Sequence, residues 1–412
     1  MSLASAPAGP AGLVDSNYAW ARLGVALVAC TIGGVGFWSV VVALPAVQAE
    51  FGVDRGAASL PYTLTMLGYA AGGVLMGRLA DRFGVAKPIA FGGVALGLGY
   101  IASGMSGALW QFILAHGVLI GFLGSSSTFG PLVADTTLWF NRRRGVAVAV
   151  CASGNYLAGT IWPPVVEFLI GKMGWRWTHI GIGLFCVATL VPLSLLLRRR
   201  APLEAVTPAA RGRAPAIVAI SPNALQILLT IAGVACCIAM AMPQVHIVAY
   251  CGDLGYGVAR GAEMLSLMLG TGVISRIGSG FIADRIGGLP TLLLGSVLQM
   301  ATLALYLGFD GLTSLYIVSA LFGLVQGGIV PCYAIIVRDY FPAREAAGRF
   351  GLVLMATLVG MALGGWMSGA IFDLTGSYRA AFANGVAWNA LNAGIALMLL
   401  RRLRPARQLS AI

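Results

Sequence analysis

A polytopic α-helical membrane fold of about twelve transmembrane helices, arranged as two pseudo-symmetric six-helix bundles, is the fold class this sequence predicts. Three observations predict it. Charged residues make up 10% of the 412-residue chain and hydrophobic residues 58%, whereas a soluble protein carries about a quarter charged residues. Apolar stretches of roughly 20 residues, the length that crosses a hydrocarbon core, recur along the whole chain. One eight-residue motif also appears twice, half a chain apart.

Taken in order, residues 1–19 read as a disordered tail, rich in Ala, Pro, Gly and Ser with one acid, Asp15. They have neither the basic start nor the apolar core of a signal peptide. Apolar periodicity then predicts spans near 20–44, 58–79, 88–107, 109–136, 145–170 and 177–197, which form an N-terminal bundle over 20–197. A polar linker over 198–222 follows. Six further spans, near 223–250, 259–282, 290–309, 313–337, 350–373 and 379–400, form a C-terminal bundle over 223–400. Residues 401–412 are a basic tail. The seven cysteines lie within or at the ends of these spans without CxxC or CxH spacing, so they read as reduced packing residues, and no metal or cofactor is expected.

The formal net charge of +12 is explained by placement. With both ends of the chain in the cytoplasm, inner segments hold 20 of the 26 basic residues and outer loops only five: Arg55, Lys172, Arg176, Arg260 and Arg379. That asymmetry is the positive-inside pattern of an inner cell-membrane protein, and it removes the need for a nucleic-acid partner.

The repeated motif is Gly77-Arg-Leu-Ala-Asp81-Arg82-Phe-Gly84 after span two and Gly280-Phe-Ile-Ala-Asp284-Arg285-Ile-Gly287 after span eight, an offset of 203 residues. Pro131 and Phe140 are answered by Pro331 and Phe341, and Gly174-Trp-Arg176 by Gly376 to Arg379. Two similar halves in the same orientation place a substrate site between them near the midplane. On these motifs, over residues 20–400, the chain resembles the major facilitator superfamily. The motif glycines suit a tight turn, while Asp81 and Asp284 can accept hydrogen bonds from a helix N-terminus and pair with basic groups, latching the inner face when the site opens outward.

The remaining cation, Arg276, stands inside the apolar run 264–282, eight positions before Asp284 and so about 12 Å deep. It cannot shed its proton, and a charge at that depth costs at least about 2.5–3.5 kcal/mol unless it faces a polar cavity or a partner. Gly272, Ser279 and Gly280 on its face are small and leave room for a ligand. Arg276 is therefore expected to bind a carboxylate bidentately. The alternative is an ion pair, with Asp135, Glu167 and Glu263 as candidates, none of them at matching depth.

Residues 244–255, Gln244-Val-His246 to Asp253-Leu-Gly255, then Arg276-Ile-Gly-Ser-Gly280 and the run from Trp139 through Ala152-Ser153-Gly154, resemble the monocarboxylate transporter and oxalate:formate antiporter branch of that superfamily. The resemblance implies that the span-eight arginine binds the substrate carboxylate. Two departures limit what it implies. The oxalate carriers have a lysine in span eleven, but 350–372 contains no lysine or arginine; the animal monocarboxylate carriers have an acid one turn before the arginine, where this chain has Gly272.

The expected activity is transport of a small organic anion, most simply a monocarboxylate such as lactate or pyruvate, by alternating access in a monomer, with or without a proton. An oxalate/formate-type exchanger or a drug or cation exporter of the same fold are the alternatives. Enzymatic chemistry lacks a phosphate loop, a metal-spaced cluster and all but three histidines. His246 is a candidate for substrate binding or proton exchange, against helix packing. Tyr333, Gln326 and Asn155 are candidate ligands, against interhelical hydrogen bonding, and Asp135 is a second candidate for proton coupling.

Overall fold

Residues 13–200 and 220–403 are described by the computed structural model, apart from the side chains of Ala343, Arg344 and Ala347. Expectations for 1–12, for the linker over 201–219 and for the tail over 404–412 lie outside the described residues. Ten helices among those described are long and apolar enough to cross a membrane. One of them, Arg144–Leu196, holds two spans joined at Gly174, whose φ of 77° breaks the helix. Arg55–Phe83, more polar but about 43 Å long at 1.5 Å per residue, supplies the twelfth. The predicted twelve-helix architecture is therefore the one observed.

The spans are numbered one, Asn17–Phe51; two, Arg55–Phe83; three, Ala86–Gly104; four, Leu109–Thr137; five and six, the two parts of Arg144–Leu196; seven, Pro222–Asp253; eight, Val258–Ile286; nine, Gly288–Gly308; ten, Leu312–Tyr340; eleven, Ala343–Thr375; and twelve, Tyr378–Arg402. Span one begins and span twelve ends on one side, here the terminal face; the other side is the distal face. Span one begins earlier than expected, inside the segment read as a tail. Ser16 caps it through the Ala19 N–H, and the Asp15 carboxylate accepts from the Asn141 and Arg142 N–H groups.

The repeat seen in sequence has a backbone counterpart. Gly84 and Gly287 both end their helices at positive φ, 82° and 93°, as do Gly174 and Gly376 at 77° and 65°. An L side chain is strained there and glycine is not. Close helix approach repeats too. A Cβ on Gly68 or Gly72 of span two would collide with the Gly117 or Phe122 carbonyl of span four, and one on Gly323 or Gly327 of span ten with the Met268 or Gly272 carbonyl of span eight. Such small-residue seams replace hydrophobic driving force where lipid is already apolar.

One buried apolar cluster draws only on residues 19–197 and another only on 225–403, while a third, containing Trp38, Tyr62, Met242, Leu269 and Ala362, joins the halves. Large apolar side chains such as Phe91, Leu98, Leu184, Ile277 and Phe281 face outward, as lipid requires. All seven cysteines are buried and unbridged.

Candidate functional site

Among the described residues, the hydrogen bonds between the halves run from the distal face down to mid-depth. At the distal end, Arg55 opens span two and its guanidinium donates to both oxygens of Asp253 in span seven, to Gln48 and to the Tyr378 hydroxyl. The Asp373 carboxylate of span eleven accepts from the Arg55 and Gly56 N–H groups at 2.8 and 2.6 Å, so one half caps a helix of the other. Lower down, the Thr63 hydroxyl reaches the Ala362 carbonyl and Ser266 donates to the Thr160 carbonyl. Among the described residues, the lowest hydrogen bond between the halves is made by Arg276. Beyond it, Gly73, Gly77, Gly278, Gly280, Gly348 and Gly351 have open space where a Cβ would stand. Arg276 thus stands at the terminal-side limit of the hydrogen bonds between the halves among the described residues.

Arg276 is half-buried on span eight. Its Nη1 donates to the Ala152 carbonyl at 3.1 Å, and its guanidinium carbon lies 4.7 Å from the centroid of the Tyr156 ring. Ala152 is the last residue of Arg144–Ala152, the short first piece of span five, which ends at Ser153. The buried Nε has no partner among the described residues. No carboxylate pairs with the guanidinium there either. Asp135 is taken by Arg22 at 2.8 Å, and Glu263 by Arg260 at 3.0 Å and by the Tyr316 hydroxyl. An arginine held by one carbonyl and one aromatic face, with an unused donor, is chemically disposed to receive an anion.

The space around it differs from the sequence expectation. Gly272 does not open room for a ligand: the Tyr156 ring fills that groove, with Cε1 2.5 Å from where a Cβ would be. Ser279 packs against Gly328 of span ten and donates to the Arg276 carbonyl. Gly280 alone of the three small neighbours faces open space.

The other expected site residues are scattered. Asn155 precedes Tyr156, and its buried Oδ1 has no partner among the described residues; a Cβ on Gly34 of span one would sit 3.6 Å from it. Gln326 lies in mid-membrane, receiving the Gln244 amide at 2.7 Å while its Nε2 is buried and unpartnered among the described residues. Tyr333 is fully buried and donates to Asn392, which in turn bonds Ser296, so it ties spans nine, ten and twelve together instead of facing Arg276. His246 likewise has partners of its own. One ring nitrogen meets the Tyr378 hydroxyl at 3.0 Å and the other the Gly365 carbonyl at 2.8 Å. It sits about 10 Å from the distal end of its helix, whereas Arg276 sits about 27 Å from the distal end of its own. Asp135 is committed to Arg22 near the terminal face, two residues from the end of span four.

In the repeated motif, Asp81, Arg82, Asp284 and Arg285 are all exposed. Among the described residues neither carboxylate bonds to the other half.

Sequence reasoning missed Tyr156, Arg55, Asp253, Asp373 and Tyr378. Tyr156 gave no signal beyond standing one turn after Ala152. Arg55 was visible only as an isolated cation in an outer loop, and its partners come from segments 198, 318 and 323 residues away. Tyr69 of span two, also missed, lies within electrostatic reach of Arg276 and packs edge-on against Phe37.

The family model described as Major Facilitator Superfamily matches residues 26–310 and 279–411. Monocarboxylate transporter 13 of Bos taurus is 26% identical over 329 residues, 78% of this chain and 75% of that protein. The MFS-type transporter pynF of Aspergillus niger is 25% identical over 303 residues, 73% of this chain and 69% of that one. Among solved structures, a bacterial homologue of the human lysosomal transporter Spinster, in an inward-facing and occupied conformation, superposes with a TM-score of 0.70 at 13% identity, covering 94% of this chain and 98% of that one. A peptide transporter, POT, gives 0.71 at 14% identity over 92% and 95% of the two chains. With the family model spanning nearly the whole chain and twelve spans in two six-helix halves around a mid-membrane cation, the chain belongs to the major facilitator superfamily and is an integral membrane transporter, not an enzyme.

Proposed function

We propose that this transporter carries a small organic anion, specifically a monocarboxylate of the lactate or pyruvate type, and that Arg276 binds its carboxylate. The observation that carries this reading is Arg276 itself: a permanent cation at mid-depth, paired with no acid among the described residues and retaining a buried, unused Nε–H. A cation substrate would want an acid at that depth; Asp135 is committed to Arg22 and Glu263 to Arg260, and Glu167 stands about 10 Å from the distal end of span five, seven residues before Gly174. The absence of lysine and arginine over 350–372 favours one carboxylate over two. The name of the bovine relative, Monocarboxylate transporter 13, agrees with this substrate class.

In the proposed cycle the anion enters from the terminal face, cytoplasmic by the excess of basic residues there, and neutralises Arg276. The halves then rock about the site. The distal seal around Arg55 opens as Asp81-Arg82 and Asp284-Arg285 close over the terminal face. A monomer contains every part of this. Proton symport, with Asp135 or His246 as carrier, is part of the proposal.

The test is uptake of labelled lactate, pyruvate, formate, oxalate and a cationic dye into liposomes bearing wild-type protein or Arg276→Ala, with and without an inward proton gradient. Saturable monocarboxylate uptake lost in the variant is expected. Dye movement, or anion uptake untouched by the substitution, would sink the reading; indifference to the gradient would remove the proton.

A further inference from the structure

Resting on the reading of Arg276 as the anion site, we infer that Tyr156 is a positioning residue for it, and that the carboxylate is received on the Nε–Nη2 edge of the guanidinium. A guanidinium presents two in-plane pairs of parallel N–H groups that fit a carboxylate: the Nη1–Nη2 end and the Nε–Nη2 side. The end is compromised, because Nη1 already donates to the Ala152 carbonyl at 3.1 Å. The side is unpaired, because Nε has no partner and the one side-chain hydrogen bond of Arg276 among the described residues is made by Nη1; a carboxylate reaches the buried Nε by displacing the atoms that now cover it.

The Tyr156 ring does not compete for those donors. It lies 4.7 Å from the guanidinium carbon, a separation at which a ring holds the cation by its quadrupole and leaves the in-plane donors to an anion. The ring is itself fixed, since it occupies the groove left by Gly272, one turn before Arg276 on span eight. The long arginine stem, which otherwise samples many rotamers, is thereby restricted from the opposite half of the protein. Holding the cation in place beforehand lowers the ordering cost of binding. The arrangement also makes the anion site a property of the closed seam between spans five and eight: when the spans part, Arg276 loses both its carbonyl and its aromatic support.

The ring face carries this role, so the hydroxyl is dispensable and the face is not. Tyr156→Phe is expected to keep the KM for monocarboxylate uptake within about threefold of wild type, and Tyr156→Leu to raise it about tenfold with kcat little changed. Gly272→Ala, whose methyl would stand 2.5 Å from the ring as it now lies, is expected to raise KM likewise, and serves if the leucine variant does not fold. Arg276→Ala in the same liposomes separates the two levels. If it abolishes uptake while Tyr156→Leu and Gly272→Ala keep the wild-type KM, or lower kcat alone, the positioning role is wrong and the anion site stands. A phenylalanine variant as impaired as the leucine one would also overturn it. If Arg276→Ala transports normally, the anion site itself is wrong.

Discussion

Arg55 and Asp253, 198 residues apart and in opposite halves, form a bidentate ion pair at 2.9 and 3.1 Å that closes the distal face. The arginine is almost buried and the carboxylate 36% exposed, so the pair lies between the surface and buried regimes, worth about 1–3 kcal/mol. Phe372 lies under the guanidinium at 4.7 Å, and Tyr378 adds a hydrogen bond.

Asp253→Asn is therefore expected to shift the resting population toward a distal-open state by roughly 5- to 100-fold. Spin-label distances across the distal ends of spans one and seven, measured without substrate, check this. Unchanged distances would mean that the Asp373 cap alone holds the seal.

His246 sits in that seal, bonded to Tyr378 and Gly365, and not beside Arg276. His246→Gln is expected to change the turnover rate and leave KM within about threefold, since a gating contact moves equilibria rather than ligand donors. A tenfold rise in KM would return His246 to the substrate site.

Arg22 and Asp135 form a buried pair near the terminal face, with Trp139 4.6 Å from the guanidinium. Removing one partner leaves an uncompensated buried charge, so Arg22→Ala is expected to destabilise the protein by about 3–5 kcal/mol. The double variant Arg22→Ala/Asp135→Ala should recover part of that loss. Thermal unfolding in detergent measures it. If Asp135 instead carries a coupled proton, Asp135→Asn will abolish the response to a proton gradient in folded protein.

Gly287 ends span eight at φ 93°. Gly287→Ala forces an L side chain into that region and is expected to cost about 1–2 kcal/mol, whereas Gly280→Ala, in open space and in the helix, is expected to be neutral or mildly stabilising. Comparing the two by thermal unfolding separates turn geometry from motif membership.

The sequence by itself determined the number of spans, their pairing across two halves and the one cation at mid-depth. These are local or periodic properties. Hydrocarbon demands about 20 apolar residues per crossing, so spans announce themselves; a charge inside one stands out by its cost; and a motif repeated at an offset of 203 residues needs no partner to be seen. Only the tertiary structure decided which polar residues meet. Of the side chains expected near the anion, His246 and Tyr333 belong to other hydrogen-bond networks, Gln326 receives the Gln244 amide, and Asn155 stands next to the Tyr156 that packs on Arg276. A helix places side chains on a face, but which face meets which neighbour depends on how close two backbones come. That approach is set by seams such as Gly272 with Tyr156 and Gly327 with Gly272. For the same reason Gly272, which the sequence presents as vacant space, is where an aromatic ring from the other half comes to rest.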